Sequence, residues 1–161
     1  MAAVEFWYGL KDHVSVLVGS EKTEPGDGWT YDTIVQYLTT TPTATPSQLG
    51  NQIVQKYIAS YPTTEPVTQS AVNATSLTSI QTATSALAVA IANNMDATNQ
   101  SYLAALRAGL YEYDGEPYVD LYQFAEAVLN SATLTAYDVL AQNVMNAITA
   151  GVIQNGYRTT E

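Results

Sequence analysis

The chain contains no cysteine, which removes disulfides, thiolate metal sites and a thiol nucleophile from its own chemistry. Basic residues are scarce: five Lys and Arg stand against fifteen Asp and Glu, a net charge of −10. A field of that sign repels phosphate backbones and anionic headgroups, so nucleic acid is excluded as an expected partner, and a cationic ligand suits the chain better than an anionic one. No run approaches the roughly 18 apolar residues that a membrane-spanning helix needs. The most apolar stretch, Ala83 to Ala92, is short and alanine-rich. Internal repeats and low-complexity tracts are also absent, because the Thr, Ser and Asn residues are spread throughout.

What is present suffices for a folded domain. Apolar residues make up 47% of the 161 positions and charged residues only 12%, so enough apolar surface exists to offset the ordering of the chain. The start, MAAVEFWYGLKDH, has neither a basic leader nor a long apolar core followed by small residues, and so is not a signal peptide. Instead, the recurrence of Ala3, Trp7 and Leu10 predicts a helix over Ala2 to Lys11, entered in mid-course, with Met1 expected to be an internal methionine. Val14 to Val18, VSVLV, is a β-branched run typical of a buried strand. A helix followed by a buried strand points to an α/β fold.

The loop Gly19 to Gly28 comes next, and its GDG tripeptide permits positive φ on both sides of Asp27. Thr30 to Leu38 is expected to be helical with Ile34, Val35 and Leu38 inside, and Thr39 to Pro46 to break it. Ser47 is the expected N-cap of a helix over Gln48 to Tyr61, with Leu49, Ile53, Tyr57 and Tyr61 near one face. Beyond the linker Pro62 to Thr68, a short strand is expected at Thr68 to Asn73. Helices follow at Ser76 to Met95, Gln100 to Tyr111, the later part of Tyr118 to Leu129, and Ala136 to Ile153. The last is read with Val139, Leu140, Val144 and Ile148 inside and Gly151 or Gly156 near its end.

Three stretches occur in an order that resembles the clostripain family of cysteine peptidases: MAAVE at 1–5, SEKTEPGDGWTYD at 20–32 and YVDLYQFAEAV at 118–128. The resemblance implies an α/β fold of the caspase and gingipain type, helix-rich here. One or two strands would lie in this chain, with most of the sheet upstream of residue 1. It also implies that 1–161 is the C-terminal part of a single peptidase domain. In it 1–40 would supply a post-nucleophile helix, a strand and the S1 loop, and 41–161 a helical remainder. The family's Cys and His dyad would then precede Met1, which would leave this chain inert alone. His13, the only histidine, does not match the catalytic position and is read as a solvated or C-capping residue.

The same resemblance implies cleavage after arginine or lysine, with Asp27 at the base of the S1 pocket. Carboxylate chemistry suits that role, since an aspartate accepts a guanidinium or ammonium through charge-assisted bonds, and Gly26 and Gly28 allow close approach. Glu24, Glu21 and Ser20 would line or approach the entrance, and Val14 to Glu21 could pair with the substrate backbone. Judged on the tripeptide alone, Asp27 reads better as a turn residue bonding its own backbone, and it is the surrounding motif that favours the pocket. Trp29 is expected to pack the loop onto the domain.

No cofactor is evident. Calcium is conceivable by resemblance at Glu112, Asp114, Glu116 and Asp120, although their spacing is not that of an EF-hand loop and Asp120 reads as a helix start. The expected partners are a peptide or protein with a basic P1 residue and the N-terminal part of the same domain. The resemblance places such a bacterial peptidase outside the cell or on its surface. The rival reading from composition is a non-catalytic helical surface or binding domain.

Overall fold

The structure, a computed structural model, describes residues 3–113 and 118–158. The expectations that fall on Met1, Asp114 and Glu116 lie outside these residues. The described chain comprises seven α-helices and a three-stranded sheet, and divides into two compact units. One unit falls within Met1–Leu77 and Gly151–Glu161, the other within Thr78–Ala150. No helix among the described residues is long and apolar enough to cross a membrane.

In the first unit, strands β1 (Val16–Gly19), β2 (Val67–Asn73) and β3 (Val152–Arg158) pair antiparallel in the order β1-β2-β3. Helix α1 (Val4–Leu10) precedes β1, and α2 (Tyr31–Thr40) and α3 (Pro46–Ser60) lie between β1 and β2. α3 packs across all three strands. It starts two residues earlier than Ser47 suggested. Thr45 is the N-cap, its side chain accepting from Gln48 N (3.2 Å) while Gln48 Oε1 accepts from Thr45 N (2.9 Å). Pro46 occupies the first turn, where its missing N–H leaves no partner unsatisfied.

The buried stripe of α3 is Gly50, Val54 and Tyr57, continued by Tyr61, and not the Leu49–Ile53 row. Gly50 sets how closely the helix can sit. A Cβ there would lie 3.0 Å from Val16 Cγ1 and 3.3 Å from Ala71 Cβ. Gly156 has the same role on the sheet side, where a Cβ would fall 2.6 Å from Ile58 Cγ1.

Gly156 therefore sits in a strand, where a helix end was expected. The final helix stops at Gly151 and the chain continues as β3, because Val152 to Arg158 find a ladder on β2. The Arg158 guanidinium donates to the Tyr61 carbonyl and ties the end of β3 to the C-cap of α3.

α2 buries only Ile34, leaving Val35 and Leu38 exposed, because its contact with α3 is a narrow stripe. β1 also begins two residues later than expected, at Val16.

The second unit is helical: α4 (Leu77–Asn93), α5 (Ala97–Ala108), α6 (Leu121–Leu129) and α7 (Asp138–Gly151). Its core holds Leu87, Ala125, Val128, Leu134, Tyr137, Ala141, Val144 and Met145, flanked by partly buried Leu140 and Ile148. In α7 the buried row runs through Ala141, Val144 and Met145. Val139 is two positions, and so about 200° of helical turn, from Ala141. It is accordingly 73% exposed instead of inside.

Candidate functional site

The segment from Ser20 to Tyr31 leaves β1 and returns into α2, and it is held at both ends. At its start, Ser20 is 2% exposed, and its Oγ lies 2.8 Å from Thr68 Oγ1 on the central strand. Ser20 Oγ also donates to the Lys22 carbonyl (2.7 Å), while Thr68 Oγ1 accepts from Glu21 N (3.1 Å) and Lys22 N (3.2 Å). Ser20 thus belongs to the base of the loop and not to its rim.

At the tip, Gly28 N donates to the Pro25 carbonyl (3.0 Å), closing a turn over Pro25–Gly28. Of the two glycines expected to permit positive φ, only Gly28 uses it, at 66°. An L side chain is disfavoured there.

Aromatic packing secures the far end. Trp29 stacks on Tyr31 (6.3 Å between centroids, 23°) and meets Tyr57 edge-on (6.5 Å, 67°), while Tyr57 and Tyr61 lie 5.1 Å apart. Trp29 Nε1 donates to Glu24 Oε2 (2.8 Å), and the Tyr61 hydroxyl donates to the Gly28 carbonyl (2.7 Å). These contacts join the loop to the cluster formed by Tyr57, Tyr61 and Val67. Trp29 is therefore a packing residue, as its size suggested.

Between these anchors Asp27 and Gly26 are exposed, whereas Glu21, Glu24 and Gly28 are half-buried. The Asp27 carboxylate makes no hydrogen bond or ion pair among the described residues. The turn is closed by backbone alone, so the carboxylate is not consumed in holding it. Glu24, by contrast, is already engaged by Trp29. Burial, followed by the neighbouring Asp27 and Glu24 carboxylates, raises the Tyr61 phenol above its ordinary pKa. Burial and then Glu24 raise Tyr57 as well. Both phenols therefore remain protonated and able to donate at neutral pH.

The remaining candidates among the described residues, His13, Glu112 and Asp120, are not assembled into a site. His13 is exposed just beyond α1, its N–H donating to the Leu10 carbonyl (3.0 Å). Glu112 pairs with Arg107 (3.1 Å), and the Asp120 side chain caps α6 by accepting from Gln123 N (2.6 Å). Among the described residues no group of three His, Asp or Glu side chains could hold a metal ion. Sequence reasoning missed Thr68 and Tyr61 as parts of the loop's support. Nothing local marks either one, since their partners lie 47 and 33 residues away.

A helix-rich α/β fold with this loop defines a class. The structure matches a Bacteroides fragilis cysteine protease with a TM-score of 0.70 at 20% identity, covering 98% of this chain and 64% of that one. It also matches a secreted C11 cysteine protease from Bacteroides thetaiotaomicron, solved with an irreversible peptide inhibitor (TM-score 0.61, 17% identity, 98% and 42% covered). The fold is thus the caspase-like fold of cysteine proteases. The family model of the clostripain family matches residues 1–157, and the chain belongs to that family. No curated protein matches it. The chain spans less than two thirds of the length of these solved relatives.

Proposed function

We propose that this chain is the specificity-bearing part of a secreted cysteine endopeptidase that cleaves after arginine or lysine, with Asp27 as the carboxylate that receives the basic P1 side chain. One observation carries the reading: an exposed Asp27 carboxylate with no hydrogen-bond or ion-pair partner among the described residues, at the tip of a turn pinned on both sides. Chemistry that needs a cation can use such a group, because a guanidinium supplies the donors it lacks. Glu24, Glu21, Gly26 and Gly28 would line or approach the pocket, with Ser20 fixing the base. Family membership supports the reaction class, and secretion is supported by the relative described as secreted.

The nucleophile has to come from elsewhere, since the chain has no cysteine and its only histidine, His13, is exposed beyond α1. A Cys and His pair on a preceding segment of the same domain would attack the peptide carbonyl, expel the amine as the imidazole protonates it, and leave an acyl-enzyme for water to hydrolyse. The outer edge of β1 is unpaired among the described residues, and gives such a segment, or a substrate backbone, a ladder to join.

The test is Asp27→Asn in the complete peptidase. It should lower kcat/KM for arginine substrates by about 2–5 kcal/mol, the cost of leaving one member of a desolvated charge pair alone. That corresponds to roughly thirtyfold to several thousandfold. Unchanged cleavage after arginine rejects the assignment.

A further inference from the structure

We infer that Ser20 and Thr68 are positioning residues for P1 recognition: a buried hydroxyl pair that turns the chain out of the sheet in one direction and so fixes where Asp27 stands. The inference rests on the reading of Asp27 above. β1 pairs with β2 only as far as Gly19 opposite Ser70. One further pair of steps would place Glu21 opposite Thr68 and extend the edge strand. The ladder stops because the Thr68 side chain, not its backbone, takes the Glu21 N–H (3.1 Å) and also the Lys22 N–H (3.2 Å).

The protons of this cluster have a single arrangement. A hydroxyl offers one donor and two acceptor sites. Thr68 Oγ1 accepts two amide protons, so its own proton must go to Ser20 Oγ at 2.8 Å. Ser20 Oγ accepts that proton and shares the Lys22 N–H (3.1 Å) with Thr68 Oγ1, and its own proton therefore goes to the Lys22 carbonyl (2.7 Å). Every donor and acceptor site of the two hydroxyls then has a partner, the one Lys22 N–H being shared between the two oxygens. Both side chains are shielded from water, at 2% and 8% exposure, so no solvent molecule can replace a missing partner cheaply. A saturated network of this kind has no alternative geometry. That is what a loop needs if the Asp27 carboxylate, seven residues after Ser20, is to meet a substrate without searching.

The experiment compares the complete peptidase with its Thr68→Val, Thr68→Ser, Ser20→Ala and Asp27→Asn variants. Each is assayed on an arginine substrate and on a matched substrate with uncharged citrulline at P1. Thr68→Val is isosteric but removes both acceptor sites. It should reduce kcat/KM for the arginine substrate on the order of tenfold to hundredfold and narrow the arginine-to-citrulline ratio, as expected for a misplaced binding group. Thr68→Ser should restore both, and the Glu21 and Lys22 amides should exchange hydrogen faster in Thr68→Val than in Thr68→Ser. If Thr68→Val does not fold, Ser20→Ala carries the test and should narrow the ratio in the same direction.

An unchanged ratio in a folded Thr68→Val or Ser20→Ala protein, while Asp27→Asn collapses it, overturns the positioning role and leaves the Asp27 reading standing. An unchanged ratio in Asp27→Asn overturns the Asp27 reading and this inference with it.

Discussion

Tyr61 shows how a single side chain can serve two structures at once. Its ring belongs to the cluster with Tyr57 and Val67 beneath α3, while its hydroxyl donates to the Gly28 carbonyl and holds the turn that presents Asp27. Tyr61→Phe keeps the ring and deletes the donor, and should lower stability by about 0.5–1.5 kcal/mol in urea unfolding. The phenol also carries a pH dependence. Burial first, then Asp27 and Glu24, raise its folded pKa above the unfolded value, so the folded state holds a proton that the unfolded state releases first. The associated stability is fully present below the unfolded pKa of about 10 and is lost as pH rises through the folded value. Tyr57 acts in the same sense. Thermal midpoints recorded from pH 8 to 11 should therefore fall above about pH 10, and fall less steeply in Tyr61→Phe. A flat profile in the parent chain contradicts the assignment.

Among elements, the pairing of α3 with the sheet depends on two absent side chains. Gly50 lets the helix reach Val16 and Ala71, and Gly156 lets β3 pass under Ile58 and Val54. Gly156→Ala should destabilise by about 1–3 kcal/mol, since it inserts a methyl group where the nearest carbon is only 2.6 Å away. Gly50→Ala is the informative contrast, because a gain in helix propensity of up to about 1 kcal/mol opposes its 3.0 Å contact with Val16. Denaturant midpoints should therefore move further for Gly156→Ala than for Gly50→Ala, and the reverse order contradicts the packing account.

Much at this scale was legible in the chain itself. α1, β2, α4 and α6 follow from periodicity, and Asp120 reads as a helix start, the role its bond to Gln123 N gives it. β3 was not legible. VIQNGYR carries no alternating apolar pattern, and its continuity with α7 makes it read as the tail of a helix until β2 offers it hydrogen-bond partners.

On the scale of the whole molecule, charge and the lack of a thiol shape what the chain can do. With a net charge of −10, the chain attracts cations over a range set by salt, which falls from about 10 Å at 0.1 M to about 3 Å at 1 M ionic strength. In the complete peptidase, kcat/KM for an arginine substrate should therefore decline as salt is raised across that range, while the citrulline analogue changes little. Equal salt dependence for the two contradicts a carboxylate-lined site. The chain by itself should release no product from arginine amides at any salt concentration, because no thiol is available to form the acyl-enzyme.

The sequence by itself determined the absence of a thiol, the sign of the field, most of the helices and the family, through the order MAAVE, SEKTEPGDGWTYD, YVDLYQFAEAV. Each of these is a matter of residue type or local spacing. Only the tertiary structure decided that the carboxylate of Asp27 has no hydrogen-bond or ion-pair partner among the described residues, that Ser20 is buried beneath the loop instead of lining it, that Thr68 and Tyr61 support it, and that Val152–Arg158 is a strand. The physical reason is distance along the chain. Thr68 reaches back 48 residues to Ser20 and Tyr61 reaches back 33 to Gly28, and β3 pairs with a strand that ended at Asn73, long before β3 begins at Val152. No local pattern of residues encodes contacts that only folding brings together.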